Sequence, residues 1–528
     1  MLLREKISYP ELGKIYPGDY YENIPFGEYV QECPLPPKTE RVFDIRDFGA
    51  QPGDLLNTEP IRRACEACRD AGGGTVLISG GGFRSGSIRL YSHTTLFIAS
   101  GSELIASRNA DDLIRRTEGT QDFGEESSGG AFVFSMDAEN VTITGGGRIC
   151  GQGEWFVYEP REKPALLPFP TTMIPMRSQA DRINTLPGSI RTYYRERIRY
   201  AEDKYGEGKP TLRRPSFMVW FLRCRNVRVE NVILHDSMCW TLHLDCCDRA
   251  LIRNVVIDDN RHVANTDGID LTGCRDAEVD HCFISCADGG LCIKNPVHTG
   301  RSSERLYLHD CTVLTVMSAF KIGTGTRHDI REVRVENCEF RFPDIYPGSV
   351  TGLSIESCDG SDVSHIQIRN IRMEKVVCPL YILLNRRNQA EEPYSEDPDA
   401  PWWGGNVSHI LIENVEAKEA ELPAIITGYA DRTRAGRPVR KPVTDITIRH
   451  YRVAYRNNQA ILHLPAEPEE FLTDYPESNA HGDVDAYGLW VHHGDRIRLE
   501  DIQAVPRTTE RSRAMIALHD VDPAPGEA

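Results

Sequence analysis

One short strand-like pattern returns eight times along this chain, and no other feature limits the fold so strongly. It reads Asn226-Val-Arg-Val-Glu-Asn-Val, Ala277-Glu-Val-Asp-His-Cys, Arg305-Leu-Tyr-Leu-His-Asp-Cys, Glu332-Val-Arg-Val-Glu-Asn-Cys and His365-Ile-Gln-Ile-Arg-Asn-Ile. It continues as His409-Ile-Leu-Ile-Glu-Asn-Val, Asp445-Ile-Thr-Ile-Arg-His-Tyr and Arg496-Ile-Arg-Leu-Glu-Asp-Ile. Each copy alternates apolar and polar residues, the signature of a strand with one buried face. The closest copies lie about 25 residues apart, with no helical pattern between them, so they cannot build βαβ units. They suit a solenoid, in which each coil buries its inward side chains against the same position of the next. The fold class is therefore all-β: a parallel β-helix.

The repeat also explains the cysteines. Cys282, Cys311 and Cys338 fall at one repeat position and read as an inward ladder of small apolar side chains. Asn231, Asp310, Asn337, Asn370 and Asn414 fall one place earlier, where an amide or carboxylate can satisfy backbone groups at a bend. One segment breaks the pattern. Thr58 to Gly72 places Ile61, Ala64, Cys65 and Cys68 on one helical face, with Asn57 or Thr58 to cap it, Pro60 in its first turn and Gly72 to end it. A helix over 58–71 covers the open first coil, as solenoids require. Cys65-Glu-Ala-Cys68 has redox-motif spacing, but on a helix face it reads as core. Residues 1–40 form an N-terminal extension, 41–520 a single β-helix domain and 521–528 a tail. Insertions near 157–213 and 385–405 are long enough to wall a cleft.

The net charge is −17 over 528 residues, which argues against nucleic acid as a partner. No stretch reaches the roughly 20 apolar residues of a membrane span. The opening Met1-Leu-Leu-Arg-Glu-Lys-Ile carries charge where a secretory leader needs an apolar run. A cytoplasmic location with reduced cysteines is expected, or a secreted one if the chain is a processed form. No cofactor or metal is expected. The oligomeric state is open.

Several motifs carry a resemblance. Phe43-Asp-Ile-Arg-Asp-Phe-Gly-Ala, Gly72-Gly-Gly-Thr-Val-Leu-Ile, Gly86-Ser-Ile-Arg-Leu-Tyr and Gly147-Arg-Ile-Cys-Gly-Gln-Gly-Glu-Trp come in order. Asn265-Thr-Asp-Gly-Ile-Asp270 follows, then Ser285-Cys-Ala-Asp-Gly-Gly-Leu-Cys-Ile-Lys294, with Tyr475-Pro-Glu and Asp485-Ala-Tyr-Gly-Leu near the end. This sequence resembles the polygalacturonase-like glycoside hydrolases of family 28 over roughly residues 40 to 520. The resemblance implies a right-handed parallel β-helix, an oligosaccharide substrate, and inverting hydrolysis by carboxylates on adjacent coils. It places Asp267 at a water-activating position and Asp288 at the general acid; Asp270 matches a family aspartate of unassigned role, and Asn265 belongs to the same motif as a substrate contact.

The departures matter as much. Gly289 stands where the family has a second Asp, and no His occupies the segment Met317 to Thr324, where the family has one. The family's Arg-Ile-Lys, which holds a galacturonate carboxylate, aligns with Ser354-Ile-Glu356. A carboxylate there repels a uronate. Lys294 reads as a counter-ion or ligand, Lys321 as a cation facing the cleft, and Glu356 as a partner for a sugar hydroxyl or a replacement base. Trp402 and Trp403 read as stacking platforms for sugar faces. The expected activity is inverting, exo-acting cleavage of a pectin-related or other plant-type oligosaccharide, with plain polygalacturonate a poor substrate. A polygalacturonase with a remodelled uronate subsite, a β-helix lyase or epimerase, and a non-catalytic glycan-binding solenoid are the alternatives. A lyase needs an acidic cation site, and no acidic cluster beyond these Asp residues is evident in the sequence.

Overall fold

The computed structural model describes residues 21, 23–37, 41–114, 130–153, 217–260, 263, 265–315, 317–341, 351–387, 397–399, 405–456, 468, 470–472, 476–478, 481, 484–507 and 512–523. The chain divides into two compact units, Met1–Met173 with Ile198–Asp288, and Ile174–Arg197 with Gly289–Ala528. Each is built from parallel coils, and the architecture is an all-β right-handed parallel β-helix.

In the first unit the strands stack in three parallel ladders. One runs from Val42–Asp44 through Gly74–Ile78, Thr94–Ile98, Glu139–Thr144, Arg225–His235 and Asp248–Asp258 to Arg275–Asp280. A second runs from Gly53–Leu56 through Gly82–Ser85, Glu103–Ala106 and Arg148–Cys150 to Phe283–Cys286, by way of the far halves of the two long strands. The third comprises Ile88–Leu90, Ala131–Met136, Phe217–Leu222, Leu242–Asp245 and Ile269–Thr272.

The predicted helix is Thr58–Asp70, and it buries Ile61, Ala64, Cys65 and Cys68 against the first coils. Gly72 closes it at φ 79, a left-handed turn that costs glycine least. Its start differs from expectation. Asn57 occupies the cap position, but its side chain bonds Gln51 and Leu55 instead of the helix. Thr58 accepts the Gly86 N–H at 2.6 Å. Both side chains tie the helix to the coils rather than capping it. The N-terminal extension also packs on this unit: Tyr21 and Tyr29 flank Phe283 at 5.9 and 5.6 Å, and Gln31 exchanges backbone bonds with the Asn231 amide.

In the second unit one ladder links Leu291–Asn295, Ser318–Thr326, Thr351–Ser357, Cys378–Leu384 and Ala424–Thr427 to the last two strands. Another stacks Ser303–His309, Ile330–Glu336, Asp362–Glu374, Asn406–Ala420, Val443–Tyr455 and Ala486–Val505. Its inward row is Leu306, Val333, Ile366, Ile410, Ile446 and Ile497, each in register with the next. Burying one such side chain contributes about 1.5–3 kcal/mol, so the row is a continuous core.

The corners carry a correction. Asn337, Asn370 and Asn414 all adopt φ 56, the left-handed region that Asn tolerates best among residues with a side chain. Their amides do not bond the backbone of the bend. Asn414 donates to Asn370 at 2.7 Å, and Asn370 to Asn337 at 2.9 Å, giving a side-chain ladder along the stack. The cysteines are stacked as well. Cys311 and Cys338 each donate to the carbonyl two residues back. Cys224, Cys247 and Cys274 form a second row in the first unit that the repeat reading did not isolate; the Cys247 and Cys274 thiols reach carbonyls of the preceding coil at 3.3 Å. All sixteen cysteines are free thiols, and most are buried.

Candidate active site

The first unit gathers its carboxylates where successive coils turn into the third ladder. Asp259 anchors this corner. It is fully buried, its backbone N–H bonds Ser285 O at 2.8 Å, and its carboxyl accepts from Ser237 N–H at 2.7 Å and the Thr241 hydroxyl at 2.6 Å. Burial pushes its pKa up to about 8, so the group is largely protonated at neutral pH. Thr241 then donates its own N–H to the Asp267 carbonyl at 2.9 Å. One residue thus links the neutral Asp259 to the backbone of the predicted water-activating residue.

Asp267 is buried, and Asp270 on strand Ile269–Thr272 is fully so. An oxygen of each lies within 4.8 Å of the other. Asn265 adopts φ 51, the left-handed bend that starts this turn. Asp288 is half-buried. One contact links its segment to that of Asp267: Thr266 Oγ1 accepts the Ala287 N–H at 3.1 Å while donating to Val263 O at 3.1 Å. The residue after each partner in that bond is a candidate catalytic aspartate. Adjacent coils lie about 4.8 Å apart, and an inverting pair needs about 6.5–9.5 Å between carboxyls, which a lateral offset can supply.

Aromatic side chains line the same ladder. Trp240 stacks on Phe217 at 5.1 Å, and buried His243, edge-on to both, lies with Nε2 3.1 Å from Thr272 Oγ1. Asp259, Thr241 and His243 were not singled out from the sequence. Asp259 gives no signal there because its meaning lies in burial, which a polar loop conceals. Asp236 and Asp258 are also buried in this unit, so the acidic residues here are more numerous than the sequence reading allowed.

The second unit holds the other expected residues. Lys294 is half-buried on Leu291–Asn295. Lys321, Ser354 and Glu356 form one cluster, since Lys321 and Ser354 are in register on neighbouring strands. Lys321 Nζ lies 3.4 Å from Glu356 Oε1 and donates to Glu477 Oε1 at 3.0 Å. Ser354 donates to Glu356 at 2.5 Å. Glu356 is fully buried, and desolvation outweighs Lys321 to push its pKa up to about 7. Gly323 makes room for it: a Cβ there would stand 2.7 Å from Glu356 Oε2. Glu477 was missed, although Tyr475-Pro-Glu had been noticed as a motif. Its segment docks on the ladder through Ser478, 2.9 Å from Thr351, and His481, whose Nε2 is 2.7 Å from the Tyr381 hydroxyl. Lys321 thus has two carboxylates for company. Trp402 and Trp403 lie outside the described residues, as do most of the two expected insertions.

The geometry is a pair of aspartates on adjacent coil ends, one beside a further buried carboxylate, and a separate buried Lys–Glu–Glu set. The model of glycosyl hydrolases family 28 matches residues 199–398. A probable polygalacturonase of Vitis vinifera is 21% identical over 387 residues, which cover 70% of this chain and 68% of that one. A hyperthermoactive exopolygalacturonase from Thermotoga maritima superposes with TM-score 0.57 at 22% identity, covering 81% of this chain and 90% of its own. The family 28 exopolygalacturonase of Yersinia enterocolitica gives TM-score 0.60 at 16% identity, covering 92% and 78%. The chain is a glycosidase, and over residues 199–398 it is similar to the glycosyl hydrolases of family 28.

Proposed function

We propose that this glycosidase removes residues from the end of a pectin-related or other plant-type oligosaccharide with inversion, and that plain polygalacturonate is a poor substrate. Asp288 protonates the leaving oxygen. Asp267 takes the proton of a water on the opposite face of the sugar, with Asp270 beside it. The Thr266–Ala287 bond carries this assignment, because it holds the two coil ends in fixed relation. Thr241 and Asp259 keep Asp267 from shifting as charge develops. The two exopolygalacturonases of similar fold support end-cleaving action.

The substrate preference rests on charge. Where the resembling family grips a carboxylate with two cations, this chain has Ser354 and Glu356, and Lys321 is engaged by Glu356 and Glu477. Bringing a uronate to such a set adds a like charge in a dry place. A sugar hydroxyl, able to donate to Glu356, meets no such cost. The deciding experiment is product analysis on polygalacturonate, rhamnogalacturonan fragments and oligosaccharides ending in neutral sugars. The anomer first released is followed by NMR. Fastest turnover of polygalacturonate, or release of the retained anomer, would remove the corresponding part of the reading.

A further inference from the structure

The second unit holds a histidine–carboxylate cluster that glycoside hydrolysis leaves unused. His492 and His493 are consecutive on strand Ala486–Val505. An extended strand sends consecutive side chains to opposite faces. His493 breaks that rule at φ 54, and the bend brings the two rings together at 3.7 Å between centroids. Glu470 arrives from another segment. Its Oε1 lies 2.7 Å from His493 Nε2, and its Oε2 accepts the Ala430 N–H at 3.0 Å. On the far side of the ring, His493 Nδ1 is 2.6 Å from Asp520 Oδ2, and Arg440 holds that carboxylate at 2.5 Å. One donor atom from each of Glu470, His492 and His493 lies within 4.8 Å of the others.

Hydrogen bonding accounts for Glu470 and His493 but not for His492. That side chain is only 6% exposed, and its buried Nδ1 has no hydrogen-bond partner. A buried polar atom in that condition calls for an explanation, a bound ion being one. A carboxylate bonded to the distal nitrogen of an imidazole is also how proteins fix the tautomer and orientation of a metal-bound histidine. Asp520 is placed to do this, keeping the proton on Nδ1 and leaving Nε2 as a donor.

We propose that Glu470, His492 and His493 bind a divalent transition-metal ion of the zinc class, with Asp520 orienting His493. Two imidazoles and a carboxylate suit such an ion and leave a fourth position, which exposed Glu470 turns toward solvent. Metal bonds of about 2.0–2.1 Å place tetrahedral donors about 3.3 Å apart, and the exposed Glu470, its Oε1 now 2.7 Å from His493 Nε2, is the member free to shift and admit the ion. The ion ties the Glu470 segment to the strand, a role separate from glycoside cleavage and contrary to the expectation of no metal.

The test uses full-length protein stripped with a chelator and titrated with Zn²⁺ by calorimetry and with Co²⁺ by absorption. One equivalent should bind, with cobalt ligand-field bands and without the thiolate charge-transfer band that the cysteines would produce. Affinity should fall at least tenfold in His492→Ala and Glu470→Gln, and about 10–100-fold in Asp520→Asn. Glu470→Gln is at an exposed position, so it carries the test if His492→Ala fails to fold. No stoichiometric binding, a thiolate spectrum, or unchanged affinity in Glu470→Gln would overturn the proposal.

Discussion

At the scale of single residues, function turns on which carboxyls keep their protons. Replacing Asp288 by Asn should lower turnover by about 10²-fold or more while leaving the melting temperature in place, since the side chain is half-buried at a coil end. Retained activity in that variant removes Asp288 as the acid. Asp259 makes a different prediction. Its pKa is raised from 3.8 to about 8, so between those values the folded protein holds a proton the unfolded chain has lost. Its contribution to stability is complete below the unfolded value and is lost as pH rises through the folded one. Glu356, raised from 4.5 to about 7, acts in the same sense. Denaturant midpoints measured from about pH 4 to 8 should therefore fall less steeply in Asp259→Asn than in the wild type. A parallel profile means the carboxyl is ionised in the native protein. At Glu356 the informative change is to Gln. A Lys there would set two ammonium groups together beside Lys321, whereas Gln removes one negative charge in place. The ratio of activity on polygalacturonate to that on neutral-ended oligosaccharides should rise about tenfold, the equivalent of the smaller energies of a charged hydrogen bond. Asp267 and Asp288 stand out in the sequence as candidates because their motifs sit one coil apart. Asp259 and Glu477 were not, because each acts through burial against residues far along the chain.

At the scale of the element, the repeat pattern gave the strands and their inward rows directly, because a period of two leaves one choice of buried face. The corners were only half legible. Asn at a bend suggests a left-handed residue, and all three of Asn337, Asn370 and Asn414 are left-handed, but the partner of each amide is the next coil's amide. Periodicity cannot reveal such a contact, which depends on exact stacking of one bend on another. Asn370→Ala loses two side-chain bonds and keeps an unfavourable backbone angle, so it should lower stability by about 1–3 kcal/mol in urea unfolding. Asn370→Gly relieves the angle but not the lost bonds, and should fall between. Equal stability of the two variants would show that the backbone angle contributes nothing. The helix Thr58–Asp70 was read correctly in extent because Pro60 and Gly72 bracket it, yet its presumed caps serve tertiary bonds instead.

At the scale of the molecule, stability is spread over many similar contacts, with rows of aliphatic and thiol side chains taking the place of cross-links. Sixteen thiols should react with a chromogenic disulfide after denaturation without reductant, and very few before it. A lower count in the denatured protein would show oxidised pairs and overturn the expectation of reduced cysteines in the cytoplasm. The amide ladder of the second unit has one further consequence. Asn337 and Asn370 are 33 residues apart, while Asn370 and Asn414 are 44 apart, yet the two bonds are alike. A corner recognises its neighbour whatever the contour length between them. Chain can therefore be added to a coil without disturbing the alignment of the next, which separates the part of the molecule that must stay constant from the part that can vary. A lineage can remodel what it grips by lengthening the excursions between corners, and an engineer who grafts a new segment there inherits the same freedom.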